Sequence, residues 1–181
     1  MIQKIASFDS FSTNMYNFRN LNLCKKYAER FGKQRSNEES LLFWGNVGTG
    51  KTYAAYCIGN ALHDMGFSVV SASFPGLVDF VEDKQLIHKL NSADLVIADD
   101  FGAERYAYAA KEACKAIECR LREHRPLIFT TCLTISELRN ERDARLERLY
   151  SMILGSCTAM QFTGPSWKEA DKEGAWSNEG A

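Results

Sequence analysis

The chain has 181 residues, 45% hydrophobic and 25% charged, with a formal net charge of −1: the profile of one ordinary globular domain with room for a substantial core. That balance excludes attraction to nucleic acid or membranes by bulk charge, so any such contact must come from a local basic patch. No run approaches the ~20 apolar residues of a membrane span, and the N-terminus MIQKIASFDSF has no continuous apolar stretch of a secretory leader, so a cytosolic location without membrane contact is expected.

Residues 1 to 16 read as an irregular lead-in. From Asn17 to Phe31 the apolar residues Leu21, Cys24, Tyr27, Ala28 and Phe31 recur at helical spacing, and Gly32 ends the pattern. Leu41 to Trp44 is an apolar run of strand length that breaks into GNVGTGKT. Gly45, Gly48, Gly50, Lys51 and Thr52 match G-x-x-x-x-G-K-[ST] with an extra glycine inside, the pattern of a P-loop. Such a loop must aim backbone N–H groups at phosphates, which needs positive φ angles and close approach that side chains block. Lys51 is expected to reach the β- and γ-phosphates, and the Thr52 hydroxyl to ligate Mg²⁺ at the start of a helix whose positive end faces the phosphates. The candidate nucleotide contacts are therefore Gly45, Asn46, Val47, Gly48, Thr49, Gly50, Lys51, Thr52 and Tyr53. The required helix follows through Ala54, Ile58, Ala61, Leu62 and Met65 to Gly66.

Phe67 to Ser73 reads as a strand, followed by Pro75-Gly76 and a pair of short helices through Leu90. Asp94 to Gly102, DLVIADDFG, is a second signature: an apolar strand delivering Asp99 beside the Mg²⁺ shell and Asp100 to orient or deprotonate an attacking water. Glu104 is a weaker candidate for a polar contact nearby. Tyr106 to Glu123 has a helical apolar face, and Pro126 introduces the strand Leu127 to Cys132, whose end lies where ligands of open α/β sheets collect. Thr134 to Glu137 has capping-box spacing, so a helix should run from there to Gly155, lining Arg139, Arg142, Arg145 and Arg148 along one side. Those arginines read either as a solvated face or, with Arg120, Arg122 and Arg125, as a local positive surface. A final strand spans Cys157 to Thr163, and the tail after Lys168 is polar. The six cysteines form no C-x-x-C pair, so reduced core thiols are the expectation. Five strand candidates alternating with helices imply an α/β fold, a three-layer P-loop NTPase with a mainly parallel five-stranded sheet.

The blocks LLFWGNVGTGKTYAAYCIGNAL, SFPGLV, DLVIADDFGAER, RPLIFTTCLT and ERLYSMILGSCTAMQFTGPSWK resemble the AAA+ ATPase domain of DnaC/DnaI-type replicative helicase loaders, a group that includes the IstB transposition ATPases. The resemblance covers roughly residues 16 to 168 and implies a lead-in at 1–16, an AAA+ domain at 17–168 and a tail at 169–181. It implies ATP and Mg²⁺ as cofactors, and as partners single-stranded DNA, bound by that positive surface, a replicative helicase and further copies of the chain. The lead-in is short for the separate helicase-binding domain that many loaders place first. By resemblance Gly45 to Thr52 is Walker A, and Asp99 with Asp100 is Walker B. The usual sensor 1 Asn is Cys132, leaving Thr131 as a substitute. The box Arg148-Leu149-Tyr150-Ser151-Met152-Ile153 carries Met152 where the second arginine, a finger for a neighbour's ATP, is expected, leaving Arg148 or Arg145 to replace it. Lys168 stands at the sensor 2 arginine and lacks its bidentate fork. An ATPase with slow turnover is the expectation, with Lys51, Asp100, Thr131 and Arg148 as catalytic candidates. The alternatives are an IstB-like transposition regulator, a nucleotide-dependent adaptor with little hydrolysis, and, less well matched, a small P-loop kinase.

Overall fold

The computed structural model describes residues 6–11, 16–33, 39–73, 84–102 and 111–166. In chain order the elements are α1 (Phe18–Arg30), β1 (Ser40–Gly45), α2 (Lys51–Asp64), β2 (Val69–Ser73), α3 (Lys84–Ser92), β3 (Leu95–Asp99), α4 (Lys111–Arg122), β4 (Leu127–Thr131), α5 (Ile135–Arg139), α6 (Ala144–Ser156) and β5 (Cys157–Phe162). The strands form one five-stranded sheet in the order β2-β3-β4-β1-β5, and every pairing is parallel.

Parallel strands need helical crossovers, and these cover both faces, which is why β1, β3 and β4 read as continuous apolar runs. Alternation divides each run between two cores. Leu41, Phe43, Leu95, Ile97 and Ile128 meet Ala54, Ile58 and Leu62 of α2 and Cys24 and Ala28 of α1. Leu42, Val96, Ala98, Leu127 and Phe129 meet Ile117 and Leu121 of α4 and Leu149 and Ile153 of α6. Phe43 and Phe129 are completely buried on opposite faces, and truncating either to alanine costs about 3–5 kcal/mol.

The strand order positions the site. β4 lies between β1 and β3, so its carboxyl end is wedged between the two loops that leave those strands. Residues 6–11 also pack: Ala6 is buried and its carbonyl accepts from Asn60 Nδ2 at 2.6 Å, while Phe8 and Phe11 lie against the α1/α2 core. The lead-in is thus partly built into the domain.

Three expectations are corrected. The single helix from Thr134 to Gly155 is two. Thr134 caps α5 in a reciprocal box with Glu137, and Asp143 then starts α6 afresh, its Oδ1 accepting from the amides of Arg145 and Leu146 at 2.9 and 3.2 Å. Arg139 therefore ends one helix, Arg142 lies in the connector, and Arg145 and Arg148 belong to the next, so no four-arginine row forms. Second, Cys119 and Cys132 are exposed, and only Cys24 and Cys57 are fully buried thiols, both pushed up to about 12 chiefly by that burial. Third, β2 starts at Val69 rather than Phe67, whose ring instead stacks edge-on against Phe31 at 5.1 Å. The first short helix after Pro75-Gly76, Glu104, Lys168 and the tail lie outside the described residues.

Candidate functional site

Gly45, Gly48 and Gly50 all take left-handed φ angles, of 132°, 79° and 94°. At Gly45 a side chain is impossible as well as strained, since a Cβ would sit 2.1 Å from the Phe162 carbonyl oxygen on neighbouring β5. Gly50 is the N-cap of α2, where a Cβ would meet the Phe11 ring at 2.9 Å. The loop is therefore closed over by β5 on one side and by the lead-in on the other. Tyr53 belongs to the same wall: its hydroxyl bonds Ser10 Oγ at 2.7 Å and its ring meets Phe11 edge-on at 5.1 Å.

Among the described residues, the amides of Gly48, Thr49, Gly50, Lys51 and Thr52 donate to no protein acceptor. They form a nest of open donors at the positive end of a 14-residue helix, the chemistry that receives phosphate oxygens. Thr49 Oγ1 ties the loop internally by donating to the Asn46 carbonyl at 2.8 Å, and Val47 is exposed at its tip. Lys51 is 5% exposed, and its ammonium donates to the carbonyls of Gly45 and Asn46 at 2.8 and 2.6 Å. Both are neutral acceptors, weaker than a phosphate would be.

The carboxylates stand opposite. Thr52 Oγ1 donates to Asp99 Oδ1 at 2.9 Å, bringing the two metal candidates together. A hydroxyl and a carboxylate are hard oxygen donors, and so this pair fits Mg²⁺. Asp100 follows at φ 54°, exposed beyond the end of β3. Burial of part of its carboxyl first, and then the adjacent Asp99, raise its proton affinity from the ordinary aspartate value, opposed by Lys51.

Two residues missed in the sequence complete the constellation. Thr130, fully buried on β4, donates through Oγ1 to Asp99 Oδ1 at 2.5 Å and accepts from the Asp100 amide at 3.0 Å. Tyr56, one turn beyond Thr52 on α2, brings its hydroxyl beside Asp99, Asp100 and Ser71 of β2. Its proton affinity is pushed up to about 12 by burial first, then by the charges of Asp99 and Asp100. The i+4 spacing from Thr52 was the available signal for Tyr56; Thr130 had none beyond its place at a strand end.

The remaining candidates fall elsewhere. Thr131 is also completely buried, but alternation turns it to the face of Leu127 and Phe129, where its hydroxyl accepts from the Leu133 amide at 3.1 Å. Of the two β4 threonines it is Thr130 that reaches the carboxylates. Arg148 lies on α6, 63% exposed and 3.8 Å from Glu118 of α4, and among the described residues no contact joins it to the loop or to the carboxylates. Met152 is half-buried against the α4/α6 core. Arg120 is 1% exposed: its guanidinium donates to the carbonyls of Leu90, Ala93 and Pro126, so it braces the fold and leaves the proposed DNA surface. Arg125 donates to the Asn91 carbonyl, and Arg122 pairs with Glu118.

In solved structures the same fold recurs. The structure of DnaI has a TM-score of 0.75 at 18% identity, covering 90% of this chain and 90% of that one. The replication initiator DnaA bound to AMPPCP and single-stranded DNA has a TM-score of 0.72 at 20% identity, covering 96% of this chain and 55% of DnaA. The fold is the AAA+ P-loop NTPase fold. In sequence the chain is similar to the replicative helicase loader DnaC of Buchnera aphidicola subsp. Acyrthosiphon pisum, 33% identical over an alignment 111 residues long that covers 55% of this chain and 44% of that protein. The resemblance to DnaC/DnaI-type loaders read from the motifs therefore holds in sequence and in fold. The AAA+ chain spans less than half the length of the curated loaders it matches. No family model matches the sequence. No helix among the described residues is long and apolar enough to cross a membrane.

Proposed function

We propose that this AAA+ domain binds ATP with Mg²⁺ at Gly45 to Thr52 and hydrolyses it slowly, as the nucleotide-dependent part of a replicative helicase loader that acts on single-stranded DNA. The observation that carries this reading is the convergence of Lys51, Thr52 and Asp99 around a nest of open backbone donors. In it, Gly45, Asn46, Val47, Gly48, Thr49 and Gly50 wrap the phosphates, and Lys51 exchanges its two carbonyl partners for phosphate oxygens. Phe11 and Tyr53 form the wall beside the loop. Thr52 and Asp99 hold Mg²⁺, which supplies neutralisation of the phosphate charge. Asp100, with its raised proton affinity, orients the attacking water and accepts its proton.

Arg148 is exposed and makes no contact with its own loop among the described residues, so in this reading it acts on the nucleotide of a neighbouring copy, and self-association is part of the reading. Met152 packs inward and takes no part in it. Turnover is slow because the trans-acting guanidinium comes from a different turn of the helix, and such a group is worth about 10³–10⁵ in rate where it is well placed. Exposed Arg139, Arg142 and Arg145 supply the local positive surface for DNA. The loader role follows the similarity to DnaC, and a transposition ATPase of the IstB kind is the alternative that the same two nucleotide motifs fit.

The inward packing of Met152 also favours a second reading, an adaptor that binds ATP as a switch with no useful turnover. Steady-state hydrolysis with and without single-stranded DNA separates the two. The loader reading expects DNA-stimulated turnover that Lys51→Ala abolishes and Arg148→Ala lowers at least about 10-fold without weakening ATP binding. Binding and assembly with no turnover under either condition would favour the switch.

A further inference from the structure

Asp99 accepts from two hydroxyls, those of Thr52 and Thr130, and only that of Thr52 belongs to the P-loop. We infer that Thr130 and Tyr56 are positioning residues that set the two Walker B carboxylates for the Mg²⁺-bound nucleotide, Thr130 by fixing both at once and Tyr56 by holding Asp99 from the α2 side. The inference rests on the nucleotide reading above and assigns residues outside its recognised motifs.

Proton accounting fixes the direction of each bond. The Asp100 amide can only donate, so it occupies a lone pair of Thr130 Oγ1 at 3.0 Å. That leaves the hydroxyl proton for Asp99 Oδ1, an acceptor only, at 2.5 Å. The Thr130 carbonyl in turn accepts from the Phe101 amide at 2.8 Å, so one residue of β4 grips the Asp100 peptide on both sides. The grip matters because Asp100 is one of two non-glycine residues with a positive φ among the described residues, a conformation that costs on the order of 1 kcal/mol and persists only where its surroundings impose it.

Tyr56 works from the other direction. Its half-buried hydroxyl lies beside Asp99 and Asp100, one turn along α2 from Thr52, with Ser71 of β2 as its other neighbour. Asp99 is thereby tied to α2 through Thr52 and to β4 through Thr130, with Tyr56 beside it. Packing alone would be served as well by apolar residues: the three β4 residues before Thr130 are Leu127, Ile128 and Phe129, all completely buried. A hydroxyl at this depth is accounted for by its two polar partners.

The test measures affinity for a non-hydrolysable ATP analogue in Mg²⁺ and in EDTA, with thermal melting as a check on folding. Thr130→Val keeps shape and removes both bonds; Thr130→Ser keeps the hydroxyl; Tyr56→Phe removes only the second grip on Asp99. The expected result is near wild-type affinity in EDTA, a Mg²⁺-dependent gain reduced about 10- to 100-fold in Thr130→Val, a smaller reduction in Tyr56→Phe and recovery in Thr130→Ser. A merely structural role would weaken both conditions alike, and that pattern, or a full Mg²⁺ gain in Thr130→Val, overturns the inference. If Thr130→Val fails to fold, Tyr56→Phe decides, and an undiminished gain there overturns it. Wild-type protein showing no Mg²⁺-dependent gain would overturn the functional reading along with this one.

Discussion

Single side chains in this domain take their chemistry from the strand ends beside them. Asp94 opens the turn into β3, and its carboxylate accepts from the amide and the hydroxyl of Ser68 at 2.7 and 2.6 Å, stapling the start of β3 to the start of edge strand β2. Those bonds, the Ser68 hydroxyl first, hold the carboxyl below its ordinary proton affinity. A carboxylate with a depressed value stabilises the fold above its unfolded value of 3.8, and that contribution is lost as pH falls through the lower folded value. Asp94→Ala should therefore lower the melting temperature at pH 7 by on the order of 3 °C, modestly because the group is mostly exposed, and the gap should close in acid. Melting curves from pH 7 down to about pH 2.5 check this, and a gap independent of pH would assign the staple to packing instead.

At the scale of elements, the buried guanidinium of Arg120 joins three segments by donating to the last carbonyls around α3 and to Pro126 ahead of β4. It is fully enclosed, Nε included, which among the described residues has no hydrogen-bond partner, and burial first, with Arg125 second, lowers its proton affinity to about 10. Arg120→Ala strands those carbonyls in the core and should cost about 3 kcal/mol, while Arg120→Lys, a point donor in place of a fork, should recover only part. Denaturant unfolding measures both, and a loss under about 1 kcal/mol would contradict the brace. Arg120 was misread in the sequence because a charged residue near a helix end is normally exposed; its position three residues after buried Ile117 was the one sign otherwise. The break at Asn140 to Asp143 was hidden for a similar reason, since Asp143 reads as one more charge until its cap bonds are seen. By contrast, the capping box at Thr134, the glycine loop and the apolar runs were legible because each is encoded within a few neighbouring residues.

On the scale of the whole molecule, strand order decides what meets what. Lys51, Thr52 and Asp99 were readable as partners because two local motifs imply each other, whereas Thr130 enters the site only because β4 lies between β1 and β3. The same topology keeps Arg148 on the far helical layer, beside Glu118 and away from its own loop. The central claim is that this layered sheet presents a nucleotide site closed by Lys51. Equilibrium titration of MgATP into the wild type and into Lys51→Ala tests it most directly. The account predicts saturable binding by the wild type and a loss of about 10- to 100-fold in a variant that still melts as a folded protein. Equal affinity in the two proteins, or no binding by a folded wild type, would contradict it.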